Sequence, residues 1–446
     1  MEKGNKGSQR RWFASAHASL CLLGSYLRLI GFFRPFEEAV HIKQKAVRYT
    51  PIQKVEMLFV ALLAGAQAVS HVGRTLRVDR ALQAAFGLPG CADQSVIAQT
   101  LDAASEEDVA AVRAAVEATF VRFSQARRHH FAAAILTLDL DLSPLPTSKR
   151  AEGSERGYMG RCRSKTGRKL VRVRAAAYHE TVWEDVLPGR TAEGVAVLQA
   201  AVAAAERLLG LGDDTPDGRA KRARTEWRLD SGWGGEEAIN WLLCRGYQVT
   251  GKFKSASRVR KLIRPVGAWQ ATTSIGREVA VVPQPVELAL PVPQYAVRTI
   301  SADRPDGYYY AVLFSTREDL TMLRVVDHYD GRAGMEADLK GDKHGLGLAA
   351  LRKHKLCAQK IAVLLTELAH NVLIWAKRWL RQKAPRLEPF GIVRLVREVW
   401  AIPGRVQLVD GRVKRVCLHP EHPLTRHLGH SLIPLLDAGQ TLGILD

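Results

Sequence analysis

The sequence predicts an α/β protein of more than one domain. Its 446 residues are enough for two or three domains with cores of their own, and 47% hydrophobic with 25% charged residues is typical of a globular chain. Helical spacing of apolar residues dominates up to about residue 130, and two-residue alternation begins at about residue 134. We therefore expect an α/β core with helical regions on either side.

The charge balance indicates a polyanionic partner. Lys and Arg number 65 against 45 Asp and Glu, a formal net charge of +20, which favours phosphate neutralisation and counterion release. Net charge by itself does not separate DNA from RNA or from an anionic membrane surface.

The cysteines and apolar runs indicate a soluble protein of a reducing cytoplasm. The six cysteines form no Cys-x-x-Cys pair and have no His at zinc-finger spacing, so we expect neither a zinc site nor disulfides. We see no signal peptide. The apolar runs 57–69 and 361–380 are too short or too interrupted by charge for us to expect a membrane span.

Helix signals fill residues 1–130, which we interpret as a helical DNA-binding region. Residues 50–53 (Thr-Pro-Ile-Gln) can form a capping box, and Ser105 offers a second helix start. Two short helices joined at residues 87–90, the second capped by Asp93, match a DNA-binding helix-turn-helix. Helices packed in a bundle have the same pattern.

The first strand carries two candidate carboxylates. In residues 134–143 the leucines fall on one face, and Thr137, Asp139 and Asp141 fall on the other. Acids on a buried strand are costly unless they are paired or bound to metal. Asp139 and Asp141 are both available for such a role.

A segment dense in cations follows this strand. It is either a solubilising loop or, beside acidic strand ends, a phosphate-contacting one, and we favour phosphate contact. The cations are Lys149, Arg150, Arg156, Arg161, Arg163, Lys165, Arg168, Lys169, Arg172 and Arg174. Strands at 170–178 and 182–187 and a helix at 192–209 are predicted next.

The second candidate carboxylate is Asp230. A strand beginning at Thr225 ends at this residue, and the glycines after it permit a tight turn into the helix 236–244. Chemistry in α/β sheets lies at the carboxyl ends of strands. The alternative is that Asp230 only caps the next helix. Lys252 and Lys254, further along, are candidate DNA contacts.

The third candidate carboxylate is Glu336, after a β-rich segment over residues 255–312. If residues 329–343 form one α-helix, Tyr329, Arg332, Glu336 and Lys343 share a narrow stripe. A carboxylate can hold a metal, and cations on the same face can hold phosphates. Ion pairs on a solvated helix face are the alternative explanation.

The rest of the chain is predicted to be mainly helical. The heptad spacing of apolar residues between Ile361 and Trp379 indicates core packing, with a partner helix as the second interpretation. A hairpin turning at Asp410-Gly411 and an apolar helix near 431–437 follow.

An acid on a first strand, an acid ending a later strand and an acid on a helix after an insertion are the elements of a ribonuclease H-like fold. Three carboxylates there hold two divalent cations for in-line phosphoryl transfer. Carboxylate oxygens suit Mg²⁺, with Mn²⁺ as a substitute.

We accordingly divide the chain into five segments. They are 1–130 (helical, DNA-binding), 131–254 (first part of the ribonuclease H-like core), 255–312 (β-rich insertion), 313–382 (second part of the core, with the Glu336 helix) and 383–446 (C-terminal hairpin and helix, a candidate dimerisation region).

The same motifs resemble those of bacterial insertion-sequence DDE transposases of the cut-and-paste type. Tyr329, Arg332, Glu336 and Lys343 are spaced like that family's Tyr-Arg-Glu-Lys motif. Asp230-Ser231-Gly232-Trp233 resembles its second acidic motif, and Asp141-Leu142-Ser143 resembles its first, although Asp139 stays an alternative.

The resemblance implies that Asp141, Asp230 and Glu336 are the metal-binding catalytic residues, and that Tyr329, Arg332 and Lys343 hold DNA phosphates. It implies cleavage at terminal inverted repeats, joining of 3′-hydroxyl ends to target DNA, two Mg²⁺ ions, a homodimer in the synaptic complex, and a bacterial, nucleoid-associated location. An unstacked base would lie on Trp269 or Trp233. The alternatives are a nuclease of the same fold without joining activity, and a decayed or domesticated DNA-binding protein.

Overall fold

The computed structural model describes residues 10–44, 48–160 and 165–445, so Arg161 and Arg163 lie outside the described residues. The α-helices are α1 (Ala18–Leu29), α2 (Arg34–Ala39), α3 (Pro51–Leu63), α4 (Val72–Thr75), α5 (Arg80–Ala85), α6 (Gln94–Asp102), α7 (Glu106–Phe123), α8 (Val195–Leu209), α9 (Pro216–Ala223), α10 (Glu236–Cys244), α11 (Ala256–Ile263), α12 (Met322–Asp330), α13 (Ala333–Gly345), α14 (Leu356–Arg381), α15 (Ile392–Arg394) and α16 (Thr425–Leu432).

The β-strands have these bounds: β1 (Arg10–Ser15), β2 (Leu136–Pro146), β3 (Glu155–Arg156), β4 (Thr166–Ala175), β5 (Glu180–Pro188), β6 (Thr225–Leu229), β7 (Gln248–Lys252), β8 (Gln270–Ala271), β9 (Arg277–Val281), β10 (Gln294–Ile300), β11 (Tyr308–Ser315), β12 (Gly404–Val409), β13 (Arg412–Leu418) and β14 (Thr441–Ile444). The predicted α/β class is confirmed. The chain divides into a first unit, Met1–Phe123 with Pro146–Ser154 and Asp338–Asp446, and a second unit, Ser124–Leu145 with Glu155–Ala337.

The first unit packs its helices around α14. Helices α3, α6 and α7 contact α14, and α1 packs on a sheet of order β1-β12-β13-β14. By length and composition α14 could cross a membrane, contrary to our expectation for this segment. However, 89% of the most apolar stretch of α14 is buried inside the protein, as in the core helix of a globular domain.

Local signals placed several elements of this unit correctly. Thr50 and Gln53 form the predicted capping box of α3, Asp93 caps α6, and the Asp410-Gly411 turn joins β12 to β13 with positive φ at both residues. The prediction of an all-helical start is wrong, because Arg10–Ser15 is a strand paired antiparallel with β12. Its partner lies almost 400 residues away, and local periodicity cannot reveal such a pairing.

The second unit is built on one sheet of order β3-β4-β2-β6-β7-β11-β10-β9-β8, with β5 also paired to β4. At its centre β2, β6 and β7 are parallel. On one side β4 and β5 form an antiparallel pair, and on the other β11 adds antiparallel to β7. The β-rich segment predicted over residues 255–312 is therefore present, and its strands β9, β10 and β11 continue the same sheet.

The two faces of this sheet differ in chemistry. On β6, Trp227 lies against Tyr247 beyond the end of α10, with ring centroids 6.1 Å apart. Its neighbour Arg228 points the other way and donates to the His328 carbonyl of α12. Strand alternation thus separates an apolar face from a polar face that carries the acids of β2.

Replacing Thr50 by Ala is expected to loosen the first turn of α3. The Thr50 hydroxyl accepts from the Gln53 amide at 3.3 Å, and loss of such a cap costs about 1 kcal/mol. Deuterium uptake by the peptide containing Gln53, followed by mass spectrometry, should rise about fivefold in rate. Thr50→Ser keeps the hydroxyl and should exchange like the wild type; equal exchange in all three proteins would contradict the assignment.

Candidate functional site

Asp139 and Asp141 lie on the same face of β2 but in different surroundings. The Asp139 carboxylate is fully buried and pairs with Arg174 Nη1 at 3.0 Å and with Arg228 Nε at 2.6 Å. The Asp141 side chain is 17% exposed. Asp139 is thus an internal ion-pair partner, and Asp141 is the carboxylate with access to solvent.

Asp141 and Asp230 meet at neighbouring parallel strands. The register pairs Leu140 of β2 with Leu229 of β6, which places the two acids side by side. Arg332 lies between them, with its Nη2 2.7 Å from Asp141 Oδ1 and 3.8 Å from Asp230 Oδ2. One guanidinium therefore serves two carboxylates.

Each of these acids is also held by a local hydrogen bond. The Ser143 hydroxyl donates to Asp141 Oδ2 at 2.5 Å, and the Gly232 amide donates to Asp230 Oδ1 at 2.8 Å. Asp230 caps the short turn at Ser231–Trp233, whereas the helix that the alternative explanation had it cap, α10, has Gly235 at its N-cap. Capping this turn and facing Asp141 are compatible roles for the one carboxylate.

The predicted single helix over residues 329–343 is wrong. Helix α12 ends at Asp330 and α13 begins at Ala333. The carbonyl of His328, which would accept from residue 332 in a continuous helix, instead accepts from Arg228 Nη1 at 2.6 Å. The Arg332 amide bonds to the Tyr329 carbonyl, and the side chain of Arg332 leaves the expected stripe to reach Asp141.

A second buried acid anchors α12 to the sheet. Glu226 of β6 accepts from Thr137, and His328 Nε2 lies 2.8 Å from its Oε2. Burial alone would raise the pKa of Glu226, but the hydrogen bond and charge of His328, with the charge of Arg317, lower it to about 2. The polar face under α12 is therefore held by paired charges.

The other residues of the motif are more scattered. Glu336 is exposed in the first turn of α13, and Lys343 is half-buried further along that helix, in the first unit. Over residues 10–44, 48–160 and 165–445 no three His, Cys, Asp or Glu side chains are grouped so that they could hold a metal ion. The structure thus groups Asp141, Asp230 and Arg332, but does not add Glu336 to them.

Burial and neighbouring charges change the pKa values of Asp230 and Tyr329. Burial raises the pKa of Asp230, the nearby Arg332 opposes this, and the charges of Asp141 and Glu193 raise it further. Burial raises the pKa of Tyr329 to about 12, so its phenol is protonated at neutral pH. The Tyr329 ring also packs against the apolar cluster that contains Val326.

Only part of the cation-rich segment departs from the predicted phosphate contact, because Lys149, Arg150, Arg156 and Lys165 are exposed and phosphate contact by them stays a prediction. Arg168, Lys169, Arg172 and Arg174 are buried on β4. Arg172 pairs with Glu184 of β5 at 2.6 Å, and Arg174 pairs with Asp139. Arg172 and Arg174 are therefore internal ion-pair partners, because the acids that neutralise them lie on adjacent strands.

Lys252 and Lys254 line a cavity beside the Asp230 turn. Its volume is about 480 Å³, and its wall includes Ser231, Arg260, Arg304 and the tyrosines 308–310. Lys254 Nζ donates to the Gly232 carbonyl at 3.1 Å, and Lys252 Nζ lies 5.0 Å from the centre of the Tyr309 ring. Cations and exposed aromatic faces are thus combined next to the acidic pair.

The two candidate tryptophans differ in access. Trp233 is 1% exposed and belongs to the core. Trp269 is half-buried, with the Arg298 guanidinium 4.5 Å from its ring centre and Tyr310 next to it. Trp269 is therefore the one of the two that a DNA base could reach.

Two features of this site were not predicted from the sequence. Arg174 and Arg228 form ion pairs with Asp139. Charged residues spaced two positions apart on the strands next to β2 could have indicated these ion pairs. The charge of Glu193, in the loop before α8, raises the pKa of Asp230. No local pattern singles out Glu193, because the fold alone brings it to the site.

The chain is similar to a solved structure. No protein-family model and no curated protein matches the chain. A chain from the cryo-EM structure of a piggyBac transposase synaptic complex with hairpin DNA is similar with a TM-score of 0.48 and 13% sequence identity. The match covers 88% of this chain and 82% of that chain. At this identity and TM-score it assigns neither a fold family nor an activity.

Substituting Asp139 by Ala is expected to destabilise the second unit strongly. It leaves the buried Arg174 and Arg228 without their shared carboxylate, and breaking a buried pair in this way costs about 3–5 kcal/mol. Urea unfolding followed by tryptophan fluorescence measures the loss. Asp141→Ala, two residues along the same face but partly exposed, should cost much less; equal losses would show that the two carboxylates are not distinguished.

Proposed function

We propose that this protein is a DNA transposase of the DDE type, with a ribonuclease H-like catalytic core, that cleaves at terminal inverted repeats and joins the 3′-hydroxyl ends to target DNA. The observation that carries the proposal is the meeting of Asp141 and Asp230 at neighbouring parallel strands, with Arg332 of the Tyr-Arg-Glu-Lys motif between them.

The sheet supports this proposal. The centre of the sheet consists of the three parallel strands β2, β6 and β7, and the antiparallel pair of β4 and β5 lies beside β2. The two acids lie side by side where the pairing of the adjacent strands β2 and β6 ends. Chemistry is expected at the carboxyl ends of such strands. Asp141, Asp230 and Arg332 belong to different parts of the sequence, so their meeting is not a local effect.

The chemistry of the acidic pair suits Mg²⁺ or Mn²⁺. Asp141 and Asp230 already share one cation, the Arg332 guanidinium, so their position favours positive charge. Carboxylate oxygens are the preferred protein ligands of both ions. When bound, such ions activate the attacking oxygen and stabilise the leaving oxygen of phosphoryl transfer. Asp141 and Asp230 would hold them, and Glu336 is the third ligand that the family resemblance implies.

Arg332 has the properties of a phosphate contact. It is 8% exposed, and its Nε is buried without an acceptor in the part of the chain that the structure describes. A buried donor without an acceptor is costly, and a phosphate oxygen would supply the missing bond. We propose that Arg332 binds the phosphate next to the cleaved bond, with Tyr329 beside it.

The cavity next to the Asp230 turn suits unpaired DNA. Lys252 and Lys254 can neutralise backbone phosphates, and the tyrosines of the wall offer faces on which a base can stack, as does Trp269 next to Tyr310. The net charge of +20 supports double-stranded DNA as the partner, and the cavity would take only a base that is unpaired from that duplex. We also propose that Lys343 and the helix-turn-helix contact DNA. Two copies of the chain would form a homodimer in the synaptic complex.

Replacing Asp230 by Asn tests the catalytic role. The substrate is linear DNA carrying the sequences that flank the gene, with Mg²⁺ and a supercoiled target plasmid. Loss of an essential metal ligand is expected to slow cleavage by on the order of 10³-fold or more, while DNA affinity is kept. Asp437→Asn, at an exposed site far along the chain, is the matched control.

Products on a sequencing gel separate the alternatives. Wild-type cleavage with plasmid insertion supports a transposase, and cleavage without insertion supports a nuclease. Binding without any cleavage supports a decayed DNA-binding protein. Cleavage by Asp230→Asn at the wild-type rate contradicts the metal-site assignment.

The double variant Lys252→Gln with Lys254→Gln should bind DNA more weakly. Each lysine that contacts phosphate contributes about one unit to the slope of log affinity against log salt concentration. We therefore expect the magnitude of this slope to decrease by about two in the double variant. Fluorescence anisotropy with a labelled duplex over a series of NaCl concentrations measures it. Lys383→Gln with Lys414→Gln removes the same charge from exposed positions elsewhere, and an equal decrease there would mean that net charge alone matters.

A further inference from the structure

The four-stranded sheet of the first unit packs one of its faces on helices. Helices α1 and α5 contact each other, and both contact β12 and β13. A Cβ added at Gly404 would lie 2.9 Å from the Cβ of Ala18, the first residue of α1. Gly404, Val406 and Leu408 alternate along β12 and are buried. We call the side on which they lie the inner face.

The residues of opposite alternation form an outer face that is rich in arginine. The register pairs Trp12 of β1 with Gln407 of β12, and pairs Gln407 with Arg415 of β13. Residues paired directly across two strands point to the same side of the sheet. All polar and aromatic members of the outer face are exposed except the half-buried Gln407, and they are Arg10, Trp12, Arg405, Gln407, Arg412 and Arg415.

The outer face carries positive charge without an acid in its strands. As the structure describes them, β1, β12, β13 and β14 contain no Asp or Glu, and the acid of the β12–β13 hairpin, Asp410, lies in its turn. Lys414 is the extra residue of β13 at a register shift, and its Nζ lies beside Gly439. It is therefore not a member of the outer face. Four arginines on one exposed surface create a positive potential that attracts a polyanion.

Trp12 adds an aromatic plane to these arginines. It is 40% exposed, and the guanidinium carbon of Arg405 lies 5.9 Å from the centre of its ring. Sheets that bind single-stranded nucleic acid stack two or three bases on their aromatic side chains. The outer face has one such side chain and four arginines, so it suits the phosphates of a duplex better than unstacked bases.

A cavity continues the outer face beyond the end of β1. Its volume is about 490 Å³, and its wall includes Arg74, His17 and Arg405. Within the described residues His17 Nδ1 is buried without a hydrogen-bond partner, 3.9 Å from Asp79 Oδ2. The Asp79 carboxylate already accepts from the Ser15 hydroxyl at 2.6 Å. The cavity thus places a further arginine and a nitrogen with an unmade hydrogen bond next to Arg405.

The outer face is separate from the proposed helix-turn-helix. That motif consists of α5 and α6, and α5 packs on the inner side of the sheet. The outer face therefore points away from α5. Arginine contacts to phosphate fix a duplex in place but do not read its sequence. A duplex on the outer face would thus be held differently from one that a helix-turn-helix reads.

We propose that the outer face binds the phosphate backbone of double-stranded DNA without regard to base sequence. This inference goes beyond the proposed function, because it concerns the first unit and requires neither a metal ion nor strand cleavage.

Binding of a short labelled duplex of arbitrary sequence, without Mg²⁺, tests this inference. Fluorescence anisotropy over a series of NaCl concentrations compares the wild type with the double variant Arg405→Gln and Arg415→Gln. Each phosphate contact contributes about one unit to the slope of log affinity against log salt concentration. We expect the magnitude of the slope to decrease by about two, and the affinity at low salt to fall by on the order of tenfold or more.

The matched control is Lys383→Gln with Arg426→Gln. It removes the same charge from exposed positions of the same unit and should keep the wild-type slope. Thermal unfolding of both double variants at the wild-type temperature is expected, because all four side chains are exposed.

Chemical modification of arginine in the wild-type protein locates the contact without any substitution. A phenylglyoxal reagent is applied with and without the duplex, and mass spectrometry measures the modified fraction at each arginine. The duplex should protect Arg405, Arg412 and Arg415, and it should leave Arg426 as reactive as before.

Three results would overturn the inference. They are an equal decrease of slope in the two double variants, equal protection of Arg415 and Arg426, and tighter binding of a single strand of the same length that is lost in Trp12→Ala. The last result would assign the outer face to unpaired nucleic acid. A decrease of slope confined to the Arg405 and Arg415 variant of a protein that cleaves no DNA would support the outer face and contradict the proposed function.

Discussion

The pairing of the buried Asp139 carboxylate with Arg174 and Arg228 is the interaction on which the candidate site depends. All three groups lie inside the second unit, where an unpaired charge would be very costly. Two guanidiniums on strands either side of β2 share one carboxylate. The strand register, the charge balance and the positions of both arginines are therefore fixed together.

This pairing also shapes the backbone above it. Arg228 uses its remaining donor on the His328 carbonyl, which ends α12 and places Arg332 at the junction with α13. A Cβ at Gly331 would lie 2.9 Å from Arg228 Nη1, and one at Gly334 would lie 3.0 Å from Arg174 Nη2. The two glycines allow the junction to lie directly on the arginines, and Arg332 then reaches Asp141.

Much of the secondary structure could be predicted because its signals are local. The Thr50 capping box, the Asp410-Gly411 turn and the alternation of β2 each depend on residues within a few positions of one another. The β1 strand and the break before Ala333 could not be predicted in the same way. The first depends on pairing with β12, and the second depends on a hydrogen bond from Arg228.

The sequence by itself determined which residue types could do the chemistry and where the acids fall on their strands, and its charge balance favoured a polyanionic partner. Only the tertiary structure decided that Asp139 is neutralised internally while Asp141 faces Asp230. The sequence could not decide this, because both acids lie on the same face of β2. Tertiary structure also turned the β4 cations inward and brought Glu193 to Gly232. The reason is physical: a charge is assigned its role by the charges and solvent around it, and those neighbours come from distant strands and loops.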